Sequence, residues 1–218
     1  MIKRFLRYTA LSTALFYNAC IPPEKDSAED DLESSCQGEV LFEDEFDGSE
    51  LNFDKWEPEV CGAEANYRLR EGILELNVGN GNCGLNSRST YTLDDRTLCF
   101  EARWKVRERE GVFFNNGLAS KEGGIGYSLL NSAVGYGNSN QECEGEEREF
   151  PEINPESFNR YTLKVNSNEA EFFINENNVG NVNRCIPYDI RLIIDHACQS
   201  EDDTEKICEI DYDRLSEQ

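Results

Sequence analysis

From Val40 to the C-terminus, apolar residues come in short alternating runs separated by Gly and Asn, with a period of two rather than the 3.6 of a helix. The runs are Ile73-Leu-Glu-Leu-Asn-Val78, Leu98-Cys-Phe-Glu-Ala-Arg-Trp-Lys-Val106, Val112 to Leu118, Tyr161-Thr-Leu-Lys-Val165, Glu171-Phe-Phe-Ile174, Ile190-Arg-Leu-Ile-Ile194 and Ile207 to Tyr212. No stretch has the spacing of a helix of three turns. An all-β chain with so many strands and no helical interruptions predicts two packed antiparallel sheets. Asn166-Ser-Asn168 and Glu176-Asn-Asn178 read as hairpin turns, because Asn tolerates the left-handed backbone that such turns use.

The first residues follow another logic. Lys3, Arg4 and Arg7 precede an apolar run from Tyr8 to Tyr17 and then Asn18-Ala19-Cys20, so residues 1–19 are expected to be a secretory signal, too short to span a bilayer. The small residue before Cys20 resembles a bacterial lipoprotein signal, which implies lipidation of Cys20 and a place on the cell envelope, at the outer membrane or cell surface. Residues 20–38 carry Pro22-Pro23 and six acids, too few apolar groups to offset the entropy of ordering. They predict an acidic disordered tether with a reach of roughly 20–25 Å, ahead of a domain over residues 39–218.

Cysteine usage agrees with export. There are nine cysteines; with Cys20 assigned to lipid, Cys36, Cys61, Cys83, Cys99, Cys143, Cys185, Cys198 and Cys208 can all pair, so four disulfides are expected, in a pairing that the spacing leaves open. No Cys-x-x-Cys spacing suggests a metal site. The formal charge of −23 falls to −26 once the three basic residues of the leader are removed. Such a surface excludes nucleic acid, whose phosphates need clustered Lys and Arg.

Several pieces resemble, in order and spacing, a known family. Glu43-Asp-Glu-Phe-Asp-Gly48 with Trp56, Arg70-Glu-Gly-Ile-Leu-Glu-Leu76, Ser87-Arg-Ser-Thr-Tyr-Thr-Leu93, Cys99-Phe-Glu-Ala-Arg-Trp-Lys-Val106, the Tyr161 hairpin and Ile210-Asp-Tyr-Asp-Arg-Leu215 are similar to glycoside hydrolase family 16, within the concanavalin A-like lectin and glucanase superfamily. The resemblance implies a jelly-roll β-sandwich of two curved antiparallel sheets. It also implies a concave sheet whose central strand reads Glu-x-Asp-x-(x)-Glu. Alternation puts those acids on one face, where one serves as nucleophile and another as acid/base, about 5 Å apart.

Here the strand after the Phe-rich Val112-Phe-Phe-Asn-Asn116 reads Gly124-Ile-Gly-Tyr-Ser-Leu129. Glycine can be neither nucleophile nor proton donor, so the family's double displacement is expected to be lost. Glu142-Cys-Glu-Gly-Glu146 has the same spacing of acids but leaves only a segment with Pro151 and Pro155 to form the following strand, and reads as a solvated acidic loop.

The resemblance assigns Glu101, Arg103, Phe114, Asn116 and Tyr136 to the concave face as candidate ligand contacts. It places Asp195 and Ala197 where the family presents an amide and an aromatic platform. A structural Ca²⁺ would use Asp211 with Glu45 and Gly72, since oxygen donors suit that ion; no other cofactor is implied. His196, the one histidine, has no second histidine or serine constellation around it in sequence. The expected partners are a polysaccharide or cell-surface glycan and, through the lipid, a membrane; the domain is expected to be a monomer. Three functions remain open at this point: a non-catalytic glycan-binding domain, a divergent β-glucan hydrolase with displaced carboxylates, and a structural or partner-binding envelope scaffold.

Overall fold

The structure, a computed structural model, describes residues 34–59, 67–78, 83–107, 112–120, 123–128, 133–138, 147–149, 153–182, 193–200 and 206–218. The leader, Cys20, most of the tether and the Glu142–Glu146 loop lie outside the described residues.

Among the described residues there are strands and no helix. In chain order they are β1 (Glu39–Asp44), β2 (Trp56–Glu59), β3 (Tyr67–Arg70), β4 (Ile73–Val78), β5 (Cys83–Ser87), β6 (Leu98–Arg107), β7 (Val112–Ser120) and β8 (Gly123–Ser128). Then follow β9 (Ala133–Asn138), β10 (Glu147–Glu149), β11 (Asn159–Val165), β12 (Ala170–Ile174), β13 (Asn177–Val182), β14 (Ile193–Ser200) and β15 (Lys206–Glu217). One sheet has the order β13-β12-β11-β6-β15-β4-β3 with β1 also on β15; the other has the order β10-β9-β8-β7-β14-β5-β2. The pairings are antiparallel, as in β6 with β15 and β7 with β8.

Alternation explains the layers. In β6, Leu98, Phe100, Ala102, Trp104 and Val106 enter the core, which leaves Cys99, Glu101, Arg103, Lys105 and Arg107 on the outer face. From the facing sheet come Trp56, Leu85, Leu118, Ile125, Tyr127 and Ile194. Trp104 stacks on Tyr161 with ring centroids 3.8 Å apart, and Tyr127 meets Tyr161 edge-on at 5.1 Å. The Tyr127 hydroxyl donates to the Thr162 carbonyl and accepts the Phe173 N–H, so a buried phenol ties one sheet to the backbone of the other.

Two boundaries differ from the sequence reading. The hairpin between β12 and β13 turns at Asn175-Glu176, with φ of 48° and 68°, not at Glu176–Asn178. Asn175 takes the first left-handed position while its side-chain oxygen accepts the Arg160 N–H at 2.9 Å. The compact unit also begins at Ser34, so the last five residues assigned to the tether belong to the domain. Cys36 bonds to Cys99 across 63 residues, and Ser35 donates its N–H and hydroxyl to Glu101.

Cys208 is disulfide-bonded as well. Cys83 and Cys198 stand opposite each other in register, and Cys61, Cys143 and Cys185 lie outside the described residues. Closing a long loop restricts the unfolded chain. Cys36→Ser is therefore expected to cost about 2–4 kcal/mol, read as a lower denaturation midpoint that reductant does not lower much further through this bond.

Candidate functional site

The seven-stranded sheet holds the strand on which the family resemblance places catalysis. Ile125 and Tyr127 of β8 are buried in the core, so alternation turns Gly124, Gly126 and residue 128, a serine, to the outer face. The register continues this face sideways. Gly126 stands between Gly117 on β7 and Gly135 on β9, and beyond Gly117 the row runs to Asp195 on β14, Asn86 on β5 and Glu57 on β2. The next row is Gly137, Gly124, Ala119 and Ile193. No carboxylate stands on the outer positions of β7, β8 or β9 in these rows.

The glycines are required by the backbone. A Cβ at Gly126 would lie 2.4 Å from the Asn116 carbonyl oxygen, and one at Gly117 would lie 2.3 Å from that of Ile125. The two strands have closed on each other where the family resemblance calls for an acid.

The candidate ligand residues do not share this face. Glu101 and Arg103 sit on β6, in the eight-stranded sheet, and point away from the core on the side covered by Ser34–Cys36. Glu101 is 1% exposed; it accepts from the Tyr212 hydroxyl at 2.9 Å and from the Ser35 hydroxyl at 2.9 Å. Arg103 pairs with Asp211 at 2.8 Å and lies over the Phe158 ring at 5.1 Å. The cleft assignment of both is corrected: the whole of β6 belongs to the opposite layer.

Asn116 is corrected for a different reason. It is on β7, in the expected sheet, but it is 1% exposed and faces the interior. Phe114 is in register with Cys198, Tyr136 with Ile125, and Asp195 with Gly117 and Asn86; the side chains of these three lie outside the described set.

Asn116 belongs to a buried polar chain that crosses the sandwich. Its side-chain nitrogen is 2.7 Å from His196 Nδ1, and His196 Nε2 is 2.7 Å from Asp213 Oδ2. Donation by the amide to Nδ1 assigns the proton to Nε2, which donates to the carboxylate, so the imidazole is the neutral tautomer. Burial raises the Asp213 carboxyl above its ordinary range, the neighbouring His196 opposes the rise, and Asp44 adds to it. The Trp56 ring lies 5.7 Å from His196, and its indole N–H donates to Asp44 at 2.8 Å. This His-Asp pair is fully buried, so it cannot meet a substrate and its work is to join β14 to β15.

Sequence reasoning missed Asp213 because of a bulge. Ile210 pairs with Trp104 and Tyr212 with Arg103, leaving Asp211 as the extra residue. The phase of the strand inverts there. Cys208 and Ile210 face the core before the bulge, and Asp213 and Leu215 after it.

Of the three calcium residues, one is already engaged. The Asp211 carboxylate holds the Arg103 guanidinium, which a cation would have to displace. Gly72 forms the turn between β3 and β4 with φ of 76°. Glu45 lines a cleft of about 360 Å³, where Glu43, Asp44, Asp47 and Glu50 are its acidic neighbours. Among the described residues no group of three or more His, Cys, Asp and Glu could hold a metal ion.

No protein-family model and no curated protein sequence matches the chain. Solved structures do match. A β-glucanase of Bacillus licheniformis superposes with a TM-score of 0.66 at 11% identity, over 84% of this chain and 100% of that one. LamAcat from Zobellia galactanivorans gives 0.65 at 16% identity, over 82% and 97%. A laminarinase from Flavobacterium sp. UMI-01 gives 0.64 at 15% identity, over 82% and 100%. At these identities the likeness shows the fold alone: the chain is an all-β jelly roll of the glucanase type.

Proposed function

We propose that this domain binds glycan without cleaving it, and that it is exported and held at the cell envelope by lipid on Cys20. The observation that carries the first half is the strand β8, where Gly124, Gly126 and Ser128 occupy the outer positions that the family resemblance gives to acids. Retaining hydrolysis needs two carboxyl groups about 5 Å apart, and this strand supplies none. Glycan as the ligand class is supported by the fold and by glycan-acting neighbours such as the laminarinase. Function does not follow from fold, so this half stands on its own test.

The purified domain is expected to be retained on at least one immobilised polysaccharide while releasing no reducing ends from it over a day. Sustained release of reducing sugar would end the non-catalytic reading, and passage through every polysaccharide would end the binding reading. For the anchor, Cys20→Ser is expected to move the protein from the membrane fraction to the soluble one; an unchanged distribution would refute lipidation.

A further inference from the structure

The N-terminal end of the described chain is fastened to the outer face of the eight-stranded sheet at successive points. Ser35 donates its N–H at 3.1 Å and its hydroxyl at 2.9 Å to Glu101 on β6, and that hydroxyl is also 3.0 Å from the Thr162 hydroxyl on β11. Cys36 is bonded to Cys99, again on β6. Gly38, with φ of 133°, lies so close to the Glu217 carbonyl of β15 that no Cβ would fit. Phe100, Ala102, Tyr161 and Leu163 enter the core, so alternation turns Cys99, Glu101 and Thr162 outward, under this segment. All three are at most 2% exposed, and Cys36 is equally covered.

These contacts fix the place where the preceding chain leaves the domain. β6 has β11, β12 and β13 on one side and β15, β4 and β3 on the other, and Glu101 is the fourth of its ten residues. Ser34 therefore departs near the middle of the outer face. Residues 21–33 separate it from Cys20. As the coil that their composition calls for, they reach about 20 Å, and about 48 Å at full stretch.

A bilayer beside the eight-stranded sheet lies within that reach. One beside the seven-stranded sheet does not: three strands at about 4.8 Å each separate β6 from either edge, about 14 Å, and passing both layers with their outer side chains takes about 20 Å more. The coil would have to hold a span of about 35 Å, far above its own reach. Its six acids would also lie along the surface of a chain of formal charge −23, which repels them.

Resting on the lipid anchor proposed above, we infer that the outer face of the eight-stranded sheet is turned to the anchoring membrane and that the seven-stranded sheet is presented away from it. A partner of the seven-stranded face is then a polymer met from outside the anchoring leaflet, not a headgroup sugar within it.

The test uses the full lipidated protein in phosphatidylcholine vesicles that carry an acceptor dye on the headgroup. A donor dye is placed on an azido side chain in place of Glu171, which faces outward on β12, or in place of Glu57, which faces outward on β2. A second form has roughly twenty Gly and Ser residues inserted before Ser34, which raises the reach to about 30 Å. Cys20→Ser supplies the unanchored reference.

Energy transfer from position 171 is expected to be at least twice that from position 57, and the difference is expected to shrink toward unity in the extended form. Equal transfer from both positions, or more from position 57, would overturn the inference and leave the anchor standing. A difference that the insertion does not reduce would overturn it as well, since something other than the tether would then set the orientation. Transfer no greater than in Cys20→Ser would overturn the anchor and the orientation together.

Discussion

His196→Leu is expected to destabilise the domain by about 3 kcal/mol, the cost of leaving a buried carboxyl group and a buried amide without the ring that hydrogen-bonds both. The imidazole is 0% exposed and links Asn116 on one sheet to Asp213 on the other. Leucine fills much of the volume but leaves the Asp213 carboxylate and the Asn116 amide facing each other without the ring that satisfied them. Asp213 Oδ1 and Asn116 Oδ1 already lack a hydrogen-bond partner. Denaturant unfolding at neutral pH measures the loss.

Asp213→Asn is the informative companion, because its amide oxygen can still accept from Nε2 while the buried charge is gone. It is expected to cost much less than His196→Leu; an equal cost would show that the carboxylate charge itself is needed.

The same pair sets a pH dependence. Burial raises the Asp213 carboxyl above its ordinary value of 3.8. The folded state therefore holds that proton more tightly than the unfolded chain. The contribution to stability is full below about pH 4 and is lost as pH rises through the raised folded value. Asp44 adds to the rise and His196 opposes it, so both belong in the interpretation. In Asp213→Asn this falling component should vanish from the profile of unfolding free energy against pH. Its persistence in the variant would assign the slope to other carboxylates.

The second large effect is expected at Gly126. Introducing the acid that the resemblance calls for, as Gly126→Asp, places a Cβ 2.4 Å from the Asn116 oxygen and 3.1 Å from the Gly117 Cα. Both obstacles are backbone, which cannot swing aside as the end of a side chain can. Overpacking of this kind costs about 1–3 kcal/mol and more when strands must separate, and Gly126→Asp is expected at or beyond the top of that range. It should gain no hydrolytic activity on laminarin. A stable Gly126→Asp protein would show that the strand spacing yields easily, and hydrolysis by it would revive the enzyme reading. Gly117→Ala, whose Cβ meets the Ile125 oxygen at 2.3 Å, should behave alike.

Much of the architecture was legible because it depends on local alternation. The run from Leu98 to Val106 shows its core face as every second residue, and β6 is built on that register. Tyr161 to Val165 and Glu171 to Ile174 became β11 and β12 in the same way. The emptiness of β8 was legible too, since Gly124, Gly126 and Ser128 lack carboxylates in any packing.

Ligand assignments fared differently, because they required knowing which sheet a strand joins. Alternation says that Glu101 and Arg103 share a face; it cannot say that the face lies under Ser35 and not beside Gly126.

The sequence by itself determined the strands, the two-sheet sandwich and the absence of acids on the strand where hydrolysis would be expected. These follow from the period of two and from residue identity, which are properties of neighbours along the chain. Pairing between strands and sheets decides the rest: that Asn116 faces inward to His196 and that Asp213 completes the bridge. The inward turn of Asp213 depends on a single extra residue at Asp211, where β15 bulges against β6. A bulge exists only against a partner strand, so its inversion of the strand's phase arises when the two strands pair and not before.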